Sequence, residues 1–176
     1  MRKASIFDPE RRNFLKTAMV VAASGTLFAY SEKEVVLHVV RNGREYKIPF
    51  MREGALHEEG YNDLCRIFAD VRAGVAVRMD ADLFSVLARA QQWLADNRIH
   101  RPIILTSGYR TEHTNASLEG AAFNSMHLYG KAADIKMDGI PSEYLARLLR
   151  LSGGAGIGIY STFVHVDTWR ERAWRG

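Results

Sequence analysis

The sequence predicts an α+β fold, an antiparallel sheet with helices packed on it, and three observations carry that reading. Residues 34–50 alternate apolar and polar side chains around an Asn-Gly pair, as a β-hairpin does. Two segments with helical periodicity then follow one another. The remaining short apolar runs gather in the second half of the chain, with no regular strand–helix–strand repeat.

In order along the chain, EVVLHVV (34–40) and EYKIPF (45–50) form the hairpin, turning at Asn42-Gly43; His38 lies inside it as a side-chain contact. GYNDLCRIFADVRAG (60–74) places Leu64, Ile67, Phe68 and Val71 on one helical stripe, ended by Gly74. Asp80 caps ADLFSVLARAQQWLADN, whose apolar face comprises Leu83, Val86, Leu87, Ala90, Trp93 and Leu94. The run 102–105 reads as a buried strand delivering the loop SGYRT, and TNASLEG (114–120) as a short helix. Residues 121–130 read as a loop, KAADIKM (131–137) as a strand, and Pro141-Ser142-Glu143 as the start of a helix. GIGIY (156–160) and FVHVDTW (163–169) read as a closing hairpin.

A length of 176 residues suits one domain with a substantial core. With 47% hydrophobic and 10% aromatic residues, the composition argues against a disordered chain. Of 24 basic and 20 acidic residues, five and two fall in the first thirty, leaving 19 and 18 in residues 31–176. That remainder is close to neutral and carries no basic stripe interleaved with aromatics, which argues against a nucleic-acid partner.

Residues 1–30 read as an export signal. Arg11 and Arg12, followed by Phe14, Leu15 and Lys16, match the twin-arginine pattern, and the apolar stretch TAMVVAASGTLFA, 13 residues long, is too short to span a bilayer as a mature helix. The twin-arginine translocase is the expected export partner and the periplasm the expected destination. A basic amphipathic helix or membrane anchor is the alternative. Ala29-Tyr30-Ser31 only approximates a cleavage site, so retention as an anchor stays open. Cys65 is the single cysteine, which excludes an intramolecular disulfide and a thiolate metal cluster; its apolar helical setting favours a buried structural role over a nucleophilic one.

The chemistry concentrates in SMHLYGKAADIKM (125–137) and FVHVD (163–167). Alternation puts Phe163, His165 and Asp167 on one face of a strand and Val164 and Val166 on the other. If the two strands pair, His165 and Asp134 meet on a face whose reverse is apolar, and His127 arrives from the loop feeding the first strand. Two imidazoles and a carboxylate suit Zn2+, with a fourth position open to activate water. The same residues also fit a surface histidine and a core-edge aspartate, and spacing by itself does not decide between these readings.

Three ordered motifs do bear on it. SGYRT (107–111), SMHLYGKAAD (125–134) and HVD (165–167) resemble the elements of the zinc D-Ala-D-Ala carboxypeptidase and murein endopeptidase group, whose fold is shared with lysostaphin and the hedgehog signalling domain. The likeness runs over about residues 35–174 and is greatest to the exported MepK-like family of murein endopeptidases. It implies a zinc peptidase-like domain over 31–176, with His127, Asp134 and His165 as zinc ligands and Gly130 at a tight turn. It further implies that Arg110 binds substrate and stabilises the oxyanion, a surface salt bridge being the alternative. Ser125 matches a substrate-binding or orienting residue, or else caps the loop.

The sequence departs from the better-known members at the general base. They carry Glu, Asp or His two or three residues before the second histidine, where this chain has Phe163 and Thr162. Asp167 is the nearest carboxylate, as a catalytic or a supporting group, and His113 is a second candidate or a plain surface histidine. His57 and His100 have no assigned role. The resemblance implies a zinc endopeptidase acting on the stem peptides of peptidoglycan. A D-alanyl carboxypeptidase is its enzymatic rival, and a zinc-stabilised peptidoglycan-binding module without turnover is the reading that the missing base favours.

Overall fold

The computed structural model describes residues 34–176, so the export-signal reading of residues 1–30 lies outside the described residues. Strands β1 (Glu34–Arg41) and β2 (Arg44–Arg52) form the predicted hairpin, turning at Asn42-Gly43, and β3 (Ala55–Leu56) extends its edge. Helix α1 (Glu58–Ile67) differs from the expected 60–74 at both ends. His57 caps its start by accepting from the Gly60 amide, which gives this histidine a structural role. Its end is set by Asp70, whose Oδ1 accepts from the amides of Arg72 and Ala73, a local turn that competes with further helix. Val71 is consequently exposed and lies outside the helix.

Helix α2 (Ala81–Asp96) runs as predicted, with the Asp80 carboxylate accepting from the Asp82 amide. Its face is buried apart from Trp93, which is 38% exposed. Strand β4 (Ile103–Ser107) follows, then α3 (Glu112–Ala116), which begins earlier than expected because Thr111 Oγ1 accepts from the Thr114 amide. Within 121–130 a 3-10 turn, Met126–Tyr129, interrupts the loop. Strand β5 (Ala132–Lys136), α4 (Ser142–Leu151), β6 (Gly156–Ile159) and β7 (Val164–Asp167) occur where the pattern placed them, and β6 and β7 pair as an antiparallel hairpin. Strand β8 (Arg172–Arg175) lies in a segment for which the sequence pattern predicts no element.

All eight strands make one sheet, in the order β3-β2-β1-β4-β5-β7-β6-β8. The α+β class holds and most pairings are antiparallel, but β1/β4 and β6/β8 are parallel. Those two pairings join segments distant in sequence, so no local pattern announces them. Helix α2 packs against β1, and α4 against β6 and β7. Between helices and sheet lies the core, where Leu37, Val39, Ile103, Ile135, Val164 and Val166 meet Leu83, Leu87, Leu145 and Leu149, all essentially solvent-free. Each such side chain contributes about 1.5–3 kcal/mol by burial, which fixes the register of the strands that carry them. Cys65 is buried, its sulfur accepting from the Met79 amide, as its apolar setting predicted. Among the described residues no helix is long and apolar enough to cross a membrane.

Candidate metal centre

Because Ala133, Ile135, Val164 and Val166 point into the core, their neighbours Asp134 and His165 project from the opposite face. Asp134 is the cross-strand partner of His165 on one side and of Ser107 on the other, so β4, β5 and β7 bring three polar side chains into one row. His127 comes from the 3-10 turn, which ends at Gly130 in the left-handed conformation (φ 65°). The three candidate ligands are buried, at 1%, 5% and 7% exposure for His127, Asp134 and His165.

The outer nitrogens of both imidazoles are committed elsewhere. His127 Nδ1 lies 2.6 Å from the Gly108 carbonyl oxygen and must donate to it. His165 Nε2 lies 3.0 Å from Asp167 Oδ2 and donates to that carboxylate. The inner atoms, His127 Nε2, His165 Nδ1 and Asp134 Oδ1, then face one another at 3.0–3.1 Å. Three lone-pair atoms at that spacing repel unless positive charge lies between them. The triangle also fits a metal: ligands about 2.0–2.1 Å from a tetrahedral ion are separated by about 3.3 Å. Both histidines carry the hydrogen-bonded outer partner that orients metal-binding imidazoles.

The ionisation of the site follows the same geometry. Burial pushes the Asp134 carboxyl upward, but the two imidazoles outweigh it and hold the group well below the usual carboxylate range. Burial lowers His127. For His165 burial acts the same way, yet hydrogen bonds to Asp134 and Asp167 reverse it and the imidazole lies above its ordinary value. The two carboxylates thus favour positive charge at His165, and with Nε2 already donating to Asp167 a second proton would have to sit on Nδ1, which faces His127 and Asp134.

Arg110 is part of this centre and not on the surface. Its Nη2 donates to Asp134 Oδ2 and its Nε to Ser107 Oγ at 2.8 Å. The SGYRT loop is held by Asp70, which accepts from the Thr111 amide (2.9 Å) and hydroxyl (3.0 Å), and by a close approach to α1. A Cβ on Gly108 would lie 2.2 Å from the Phe68 carbonyl oxygen, so only glycine allows this contact and the carbonyl that orients His127.

Asp167 is fully buried and accepts four hydrogen bonds. Oδ2 receives His165 Nε2 and Arg172 Nη2 (2.6 Å), while Oδ1 receives the Trp169 amide (2.9 Å) and Arg172 Nη1 (3.1 Å). Ser125 is buried at the start of the 3-10 turn and makes no side-chain capping bond to it. Phe163 stacks on Tyr160 with centroids 4.4 Å apart, and Thr162 is exposed. His113 is exposed on α3, and His38 pairs with Glu45 across the hairpin at 2.6 Å. Ser107 and Gly108 lie in the SGYRT motif, whereas Asp70, Arg172 and Trp174, whose ring lies 5.2 Å from that of His165, carry no sequence signal tying them to the centre. The two strand glycines of GIGIY were the available hint that side chains cross β6 closely.

Two imidazoles and a carboxylate, each imidazole oriented from outside and a guanidinium on the carboxylate's second oxygen, define a metallopeptidase-type centre on an α+β sheet. A family model described as peptidoglycan L,D-endopeptidase MepK matches residues 28–174, and the chain belongs to this family. The peptidoglycan L,D-endopeptidase MepK of Escherichia coli (strain K12) is 30% identical over 96% of this chain and 98% of its own length. The protein named probable peptidoglycan L,D-endopeptidase MepK of Haemophilus influenzae is 33% identical over 62% of this chain and 61% of its own.

Proposed function

We propose that this protein is a zinc-dependent endopeptidase that hydrolyses peptide cross-links in bacterial peptidoglycan, at the L,D bond for which its relatives are named. The observation that carries the reading is the triangle of His127 Nε2, Asp134 Oδ1 and His165 Nδ1, three lone-pair atoms 3.0–3.1 Å apart in a buried site. These residues would hold Zn2+, which when bound acts as a Lewis acid on the scissile carbonyl and makes water nucleophilic near neutral pH.

The chain's own groups supply the rest. Arg110 keeps Asp134 turned toward the histidines and offers guanidinium N–H groups to the substrate carbonyl oxygen as negative charge develops there. Ser125, two residues before His127 and not used as a cap, would bind substrate or orient the site. Asp167 orients His165; with four donors on its two oxygens it has no lone pair left to accept a proton from water. The arginine pair and apolar run of residues 11–29 support export by the twin-arginine translocase to the periplasm, where the substrate lies.

The test is chromatography of purified cross-linked sacculi after incubation with the protein, with and without chelator. Loss of cross-linked dimers, abolished by chelator and restored by zinc, is expected. Release of free D-alanine from intact dimers would replace this reading by a carboxypeptidase, and binding without any cleavage by a wall-binding module.

A further inference from the structure

We infer that Arg172, on the edge strand β8, is a positioning residue of the metal centre, acting through Asp167 on the ligand His165. This rests on the proposed metal-binding role of His165. Arg172 reaches Asp167 with two N–H groups, Nη2 to Oδ2 at 2.6 Å and Nη1 to Oδ1 at 3.1 Å. A two-point contact of this kind fixes the plane of a carboxylate as well as its position. With that plane fixed, Oδ2 faces His165 Nε2 at 3.0 Å and the ring presents Nδ1 to His127 and Asp134.

The fold makes a dedicated place for this relay. Asp167, Gly156 and Arg172 are register partners across β7, β6 and β8. A Cβ at position 156 would lie 2.1 Å from Asp167 Oδ2 and 2.7 Å from Arg172 Nη1, so the ion pair passes through space that only glycine leaves empty. One row further along, Trp174 covers Gly158 and lies beside the His165 ring, closing that side. Arg150 donates to the Arg172 carbonyl and tethers β8 from α4. Arg172 also packs over the rings of Trp169 and Trp174, at 5.2 and 5.1 Å, which restrains its guanidinium further.

The experiment compares wild type, Arg172→Met, Arg172→Lys, Gly156→Ala and the control Arg170→Ala. In metal-free protein, 15N-correlated NMR of the imidazoles should show His165 with a hydrogen-bonded Nε2–H in wild type and Arg170→Ala, and that signature lost in Arg172→Met and Gly156→Ala. Zinc affinity, from competition with a chromophoric chelator, should fall by about 10- to 100-fold in Arg172→Met and recover in part in Arg172→Lys, which restores the charge but not the two-point contact. If Arg172→Met does not fold, the lysine variant gives the reading through the same two measurements. Wild-type affinity together with an unchanged His165 signature in the Arg172 and Gly156 variants would overturn the inference. Failure of the wild type itself to bind zinc would instead sink the function proposed above, while the metal-free imidazole signals still decide whether Arg172 positions His165.

Discussion

Asp134 and His165 are direct cross-strand partners on β5 and β7, and their facing atoms, Oδ1 and Nδ1, lie 3.0 Å apart. Sheet register therefore sets the geometry of these two candidate ligands, and a one-residue slip of either strand would send one of the two into the apolar core.

Removing either partner should abolish metal-dependent hydrolysis without dismantling the fold. For Asp134→Asn and His165→Ala the expected loss of activity is at least about 100-fold, the upper range produced by losing an outer partner alone. Bound zinc in the purified variants, measured by elemental analysis, should fall in parallel. In the wild type, zinc at about a hundred times its dissociation constant should add about 2.7 kcal/mol of stability, read as a chelator-sensitive shift in Tm.

Arg110 sits on the second oxygen of Asp134, so its removal separates two effects. Arg110→Ala should lower kcat/KM by about 10²- to 10³-fold, as loss of a donor to a developing oxyanion does, with zinc still bound. Arg110→Lys should recover little of that, because one ammonium cannot serve Ser107, Asp134 and substrate in the fixed directions of the guanidinium. Steady-state kinetics alongside metal analysis checks both.

Asp70 ties the end of α1 to the SGYRT loop. Burial pushes its carboxyl upward, but hydrogen bonds from Thr114, Thr111 and Ala73 prevail and hold it well below the usual range. A carboxyl depressed in the folded state stabilises fully above its unfolded value, near pH 4, and loses that contribution as pH falls through the folded value. Asp70→Asn should therefore cost about 2 kcal/mol at pH 7, with the gap to wild type narrowing below about pH 4 in urea unfolding.

Gly108→Ala should couple stability to metal binding. The added methyl would meet the Phe68 carbonyl oxygen at 2.2 Å and push the loop away, taking with it the carbonyl that accepts from His127 Nδ1. A destabilisation of about 1–3 kcal/mol is expected, with weaker zinc binding in the protein that remains folded. Calorimetry and chelator competition measure the two parts.

Much of the centre was legible because its residues lie on strands whose alternation is visible. FVHVD shows that His165 and Asp167 share a face while Val164 and Val166 take the other, and KAADIKM does the same for Asp134. The long helix α2 was equally plain, with its Asp80 cap and apolar stripe. The end of α1 was not, since Val71 continues the helical spacing and only the Asp70 turn, made partly with distant Thr111, stops it. Strand β8 is not legible for a similar reason: it pairs in parallel with β6, with β7 coming between them in sequence, and TWRERAWR has too few apolar positions to show a buried face.

Local pattern thus settles which side chains each strand turns away from the core, because period-2 alternation and the burial of valine and isoleucine are properties of a few adjacent residues. It does not settle that donors occupy both oxygens of Asp167, or that Arg110 grips Asp134 instead of lying on the surface. Those outcomes depend on contacts between residues 5 to 41 positions apart, such as Asp167 with Arg172, Arg110 with Asp134 and Asp70 with Thr111. Hydrogen bonds and charge pairing act over about 3 Å, and only the folded sheet brings those groups within that range.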